Sequence, residues 1–94
     1  MQYYVYLLVS QVNNKLISYV GYTNNLKKRI LLHNSSKGAK FTRGKKWKLV
    51  YFKGYSSKIK AMKEEYILKK NTKKRNILKN KFLKKDENIN TSSI

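Results

Sequence analysis

Three small groups of side chains in this sequence have types and spacings that can do chemistry. The first is a single carboxylate. At about 100° per residue, a helical run from Lys58 to about Lys70 places Glu65 between Met62 and Leu68. Ile59, Ala61 and Tyr66 share that apolar arc, and Glu64 falls outside it. A carboxylate on a core-facing stripe is costly unless it is paired or bound to a metal. Glu65 is therefore either a buried ion-pair partner or a metal ligand. The second group is Arg29 and His33, four residues apart, so they stack on one helix face with Leu26 and Ile30. A guanidinium there can clamp a phosphate, and an imidazole beside it can move a proton or hold a water. Their structural alternative is a surface Arg and a hydrogen-bonded His at the core edge. The third group is tyrosine. Tyr4 and Tyr6 share one strand face, and Tyr19 lies on the next strand. Such tyrosines are commonly core or stacking groups. As a base, a phenol must first lose a proton held with a reference pKa of about 10, and nearby cations would favour that loss. Gly21, in the same segment, leaves room for close approach of a ligand or backbone.

These groups sit in a strongly cationic chain. It has 94 residues, with 23 Lys plus Arg against four Asp plus Glu, a net charge of +19. Charge so far from zero points to a polyanion partner. Cations interleave with aromatics at Lys40, Arg43, Lys45 and Lys46, and recur at Lys73, Lys74 and Arg75. Lys and Arg at this density neutralise phosphates and release counterions. The only carboxylate side chains are Glu64, Glu65, Asp86 and Glu87. That scarcity excludes paired-carboxylate glycosidase chemistry, EF-hand loops and two-metal acid clusters. The absence of Cys excludes disulfides, thiolate zinc sites and cysteine nucleophiles, and it fits a reducing, cytoplasmic compartment. No apolar run approaches the roughly 20 residues that span a bilayer. The opening MQYYVYLLVS lacks a basic leader and does not read as a signal peptide. A membrane-surface role for the last helix is disfavoured, because Lys81 interrupts its short apolar face.

The elements that must position these residues form one domain, 1–85, followed by a structureless tail over 86–94. Tyr3 to Val9 reads as a strand apolar on both faces, hence central. A turn with the Asn13–Asn14 pair leads into a second strand from about Leu16 to Thr23, an antiparallel hairpin. Thr23, Asn24 and Asn25 offer an N-cap for a helix from Leu26 to about His33. A loop around Gly38 follows, then a strand from Trp47 to Tyr55. Ser56 and Ser57 can cap the helix bearing Glu65, and a basic helix runs from roughly Lys73 to Lys84 with Ile77, Leu78 and Phe82 on one side. The order ββαβαα predicts a small α/β (α+β) sheet with helices packed on it.

The motifs resemble those of the GIY-YIG nucleases, in particular the small single-domain subfamily. Tyr4-Val5-Tyr6 and Tyr19-Val20-Gly21 are similar to the paired tripeptides of the name, with Tyr4 for Gly and Val for Ile at both centres. Tyr22 to Arg29, followed by His33-Asn34, resembles the family's helix with Arg and a His one turn later. Gly38 to Arg43 and Trp47 to Tyr51 resemble segments of the small subfamily, and Ala61 to Lys69 resembles the helix holding a metal-binding Glu. The resemblance covers about residues 2–70. It implies a three-stranded antiparallel sheet flanked by helices, and Mg²⁺-dependent hydrolysis of DNA phosphodiesters with Mn²⁺ as a substitute. The implied setting is DNA repair or recombination. Carried over residue by residue, Tyr6, Tyr19, Arg29, His33 and Glu65 form the catalytic set, Gly21 is the motif glycine and Glu65 holds the metal. Asn71 and Asn76 are both candidates for a late family Asn. No DNA-reading module accompanies the domain, so low sequence specificity is expected, with DNA as partner and no obligate protein or membrane partner. A non-catalytic nucleic-acid-binding protein on the same fold is the alternative.

Overall fold

The computed structural model describes residues 2–92, with side chains over 2–83. β1 (Tyr3–Val12) and β2 (Lys15–Thr23) form the expected hairpin. Its last pair, Val12 with Lys15, is joined by Asn13 and Asn14, both at positive φ (50° and 66°). A two-residue turn of this kind needs left-handed backbone at both positions, and Asn tolerates it better than most residues. β3 (Lys48–Tyr55) pairs antiparallel with the other side of β1, giving the order β2-β1-β3. Leu7 opposes Tyr51 while Leu8 opposes Leu49, so Val50 bulges out of the ladder. β1 is thus central, and Val5 to Ser10 are all buried.

Helices cover both faces of this sheet. α1 (Leu26–Asn34) is capped by the side chain of Asn25, which accepts from the Lys28 amide. With a short 3-10 turn at Lys40–Thr42, it covers the face bearing Tyr6, Leu8 and Tyr19, where Leu26, Ile30 and Trp47 pack. α2 (Lys58–Lys70), capped by Ser57, covers the opposite face of Val5, Leu7 and Val20 with Ala61 and Leu68. α3 (Thr72–Ser92) adds Leu78 to the same layer. Among the described residues, no helix is long and apolar enough to cross a membrane.

Two expectations need correction here. The apolar arc assigned to α2 is too wide: Ile59 is 79% exposed, and Met62, Tyr66 and Ile67 are exposed as well. A three-stranded sheet has room for only a narrow stripe of helix, and the seven-residue step from Ala61 to Leu68 supplies it. Glu64 therefore does not lie apart from the packed face; it flanks that stripe on one side as Glu65 flanks it on the other. α3 also runs past Lys84, since neither Gly nor Pro interrupts residues 85–92. Of the expected structureless segment 86–94, Ser93 and Ile94 lie outside the described residues.

Candidate active site

Tyr6 stands at the centre of β1 and pairs with Gly21 of β2. Its ring folds across that glycine, where a Cβ would run into the phenol oxygen and ring. Gly21 is thus the floor under the Tyr6 side chain. The phenol reaches α1, where its hydroxyl lies 2.8 Å from His33 Nε2. His33 is fully buried, and its other ring nitrogen, Nδ1, lies 2.8 Å from the Thr42 hydroxyl. Gly38 passes so close that a side chain there would collide with the imidazole. The Tyr19 ring packs 5.0 Å from His33, centroid to centroid, and 6.4 Å from Tyr6.

Electrostatics follow from this crowding. Arg29, one turn before His33, lies beside both phenols. Hydrogen bonding to Tyr6 is the main cause that raises its guanidinium above its ordinary value. Arg29 Nε is buried without a hydrogen-bond partner, as is Arg75 Nε, so an anion would have to be met by the terminal nitrogens of Arg29. Burial, followed by repulsion from Arg29, lowers His33 below its ordinary value and keeps it neutral. The expectation that cations would favour a Tyr6 phenolate is overturned. Burial pushes the phenol up, more strongly than hydrogen bonding to Arg29 pulls it down. Tyr6 rests as a neutral phenol beside a neutral imidazole.

Glu65 comes from the helix on the other face of the sheet, yet its charge reaches the Tyr6 hydroxyl and slightly disfavours ionisation there. Its side chain is 18% exposed and forms an ion pair with Lys69 at 3.5 Å, one turn along the same helix. Glu64 pairs likewise with Lys60 at 3.8 Å, but its charge acts on Tyr55. The two carboxylates thus serve opposite flanks of α2, and only Glu65 acts on Tyr6.

Residues 2–81 match the model of the GIY-YIG catalytic domain. The chain belongs to the GIY-YIG family. It is 42% identical over 86 residues to a UPF0213 protein of Clostridium perfringens strain 13, covering 88% of this chain and 89% of the relative. It is 41% identical over 76 residues to a UPF0213 protein of Streptococcus pneumoniae serotype 4, covering 80% and 74%. A solution structure of a UPF0213 protein from Bacillus halodurans is similar at 37% identity, with 82% and 83% coverage and a TM-score of 0.45.

In this GIY-YIG domain, four of the five expected catalytic side chains meet in one cluster: Tyr6, Tyr19, Arg29 and His33. Glu65 approaches it from across the sheet. Mg²⁺ binds one or two carboxylates and keeps water and phosphate oxygens as its other ligands. Glu65 fits that demand as a partly exposed oxygen donor near the cluster. Among the described residues, no group of three or more His, Cys, Asp or Glu could enclose an ion. Of the candidate late asparagines, Asn71 caps α3, accepting from the Lys74 amide, and Asn76 is exposed on that helix.

The cations divide into two sets. Lys40, Arg43 and Lys45 flank Phe41 on the connection beside the cluster, with Lys45 Nζ 5.2 Å from that exposed ring, and Lys46 on the same connection lines a groove with Gln11, Leu16 and Phe82. Lys73, Lys74 and Arg75 belong to α3 on the other side of the sheet. Arg75 is held by Ser18 and Thr72, and Lys74 sits over the Tyr51 ring at 5.3 Å, so both help to dock that helix. Thr42, Gly38, Asn34 and Trp47 lie in segments that resemble the family, but the sequence attaches no individual role to any of them. The Asn34 side chain donates to the Trp47 carbonyl (3.1 Å) and accepts from its amide (2.6 Å), fastening the end of α1 to the entry of β3. Trp47 Nε1 donates to the Thr42 carbonyl at 2.9 Å. Nothing in the sequence singles out Thr42, since Ser35 and Ser36 offer hydroxyls in the same loop and closer to His33.

Proposed function

We propose that this chain is a metal-dependent DNA endonuclease of low sequence specificity, acting on DNA structure in repair or recombination. The observation that carries the reading is the Tyr6–His33 hydrogen bond beside the Arg29 cation. A neutral phenol bonded to a neutral imidazole is a two-step proton path. A water proton moves to the Tyr6 oxygen while the proton of Tyr6 moves to His33 Nε2. The water oxygen bonds to phosphorus, and the bond from phosphorus to the leaving sugar oxygen breaks. Arg29, through its terminal nitrogens, stabilises the charge that develops on the phosphate oxygens. Tyr19 packs against His33 and keeps the ring in line. Mg²⁺ or Mn²⁺ held by Glu65 would neutralise the leaving oxygen. Lys40, Arg43, Lys45 and Lys46 would track the DNA backbone past the cluster, with Lys73 as a separate contact.

The test incubates purified protein with supercoiled, nicked, branched and single-stranded DNA in Mg²⁺, Mn²⁺ or EDTA. Cleavage with either metal and none in EDTA is expected. Tyr6→Phe should lose about 10²- to 10⁴-fold in rate, the worth of a positioned acid–base group, at unchanged DNA affinity. Tight binding without cleavage of any substrate would make the chain a non-catalytic binder.

A further inference from the structure

The proton path proposed above needs His33 Nε2 to be bare, and a neutral imidazole carries its proton on either nitrogen. The hydrogen bonds around the ring decide which. The Thr42 hydroxyl lies 2.8 Å from the Ala39 carbonyl as well as 2.8 Å from His33 Nδ1. A carbonyl oxygen only accepts, so the single hydroxyl proton of Thr42 goes to Ala39. The Thr42 oxygen is then left to accept, and Nδ1 must be the nitrogen that carries the proton. Nε2 is left with its lone pair facing the Tyr6 hydroxyl 2.8 Å away. Every group in the row is satisfied by this arrangement: Tyr6 donates to His33, His33 to Thr42, and Thr42 to Ala39. Reversing it would place the ring proton between Nε2 and Tyr6 and turn the phenol proton away from the histidine.

From this row, the geometry points to Thr42 as a positioning residue that holds His33 in the Nδ1–H tautomer, so that Nε2 can take the proton of Tyr6. The surroundings are built to keep Thr42 in place. Thr42 is fully buried at the end of the 3-10 turn, its carbonyl is held by Trp47, and Trp47 is fastened to α1 through Asn34. Gly38 passes over the same imidazole, where any side chain would collide with the ring. The functional consequence rests on the nuclease reading; the tautomer itself does not.

The chain has one histidine, so ¹⁵N-labelled protein gives one pair of ring-nitrogen resonances with no assignment problem. Wild type should show protonated Nδ1 and bare Nε2 at neutral pH. Thr42→Ser keeps the acceptor and should keep that pattern. Thr42→Val keeps the shape, removes the acceptor and should shift the population toward Nε2–H. In parallel, Thr42→Val should lower the cleavage rate by about 10- to 100-fold at unchanged DNA affinity, and Thr42→Ser should restore most of it. A wild type in the Nε2–H form, or a Thr42→Val variant with the wild-type tautomer or the wild-type rate, overturns the proposal. If Thr42→Val does not fold, the spectra of wild type and Thr42→Ser still decide the tautomer. A wild type that shows Nδ1–H but cleaves no DNA refutes the nuclease reading and leaves the Thr42 assignment standing.

Discussion

His33 ties the stability of the domain to pH. Burial and the neighbouring Arg29 lower its folded pKa beneath the ordinary 6.5, while the unfolded chain returns it to that value. Between those two values the unfolded state binds the extra proton, so stability is full above about pH 6.5 and is lost as pH falls toward the folded value. Denaturant midpoints from pH 8 to pH 5 should therefore decline on the acid side. Because no other histidine exists, His33→Asn should flatten that decline even though it lowers stability throughout. The two carboxylates of α2 are told apart by a second measurement. The Glu65–Lys69 pair is an i, i+4 helix pair of the kind worth about 0.3–0.5 kcal/mol, so Glu65→Gln should lower the melting temperature by only about 1–4 °C. It should nonetheless abolish metal-dependent cleavage, while Glu64→Gln leaves cleavage intact. A Glu65→Gln protein that is active but whose melting temperature falls by more than that would make this carboxylate structural. Strand alternation put Tyr6 on a face with Tyr4, and the i, i+4 step put Arg29 beside His33, but that Tyr6, Tyr19, Arg29 and His33 belong to one group was legible only through the family resemblance of their motifs. The part of Thr42 was not legible, because its bond to His33 crosses a loop that has no period to read.

At the level of elements, the close fit between β1 and β2 carries the site. Gly21→Ala would drive a methyl group into the Tyr6 phenol. Overpacking of that kind costs about 1–3 kcal/mol, and here it would also lift the hydroxyl away from His33. Melting temperature and cleavage should fall together. Gly54→Ala is the control, since a methyl there meets only the far end of the exposed Gln2 side chain; thermal melts should leave it near wild type. The hairpin, the caps of α1 and α2 and the central place of β1 could be read from the chain, because Asn at a two-residue turn, Asn25 and Ser57 before helices, and a strand apolar on both faces are local signals. The buried face of α2 could not. Ile59 and Met62 are apolar enough to suggest burial, but the width of the sheet decides how many such residues it can cover.

For the molecule as a whole, the +19 charge governs how the proposed nuclease would meet DNA. Affinity should fall steeply with salt, with a log–log slope of about −0.9 for each phosphate neutralised on duplex DNA. Titrations from low to physiological salt measure that slope. Charge-neutralising changes at Lys40, Arg43, Lys45 and Lys46 should make it shallower by about one unit for each phosphate left without its cation. Arg75→Gln should act differently, loosening α3 from β2 with little change in slope, because its guanidinium is engaged by Ser18 and Thr72. A slope unaffected by the four cations on the connection before β3 would place the DNA on another surface.

The central place of β1 has a consequence for how the chain reaches this structure. One side of the strand is filled by β2 across a two-residue turn, a step of about microseconds. The other is filled by β3, whose Leu49 pairs with Leu8 across α1 and the long connection. Pairings so distant in sequence form slowly. Until then the most apolar strand of the molecule presents an unpaired edge, the kind of surface on which a second chain can add and begin an aggregate. The hairpin is not alone in that interval. It belongs to a chain whose copies all repel one another, and the same excess of lysine that draws in a polyanion keeps half-made sheets apart.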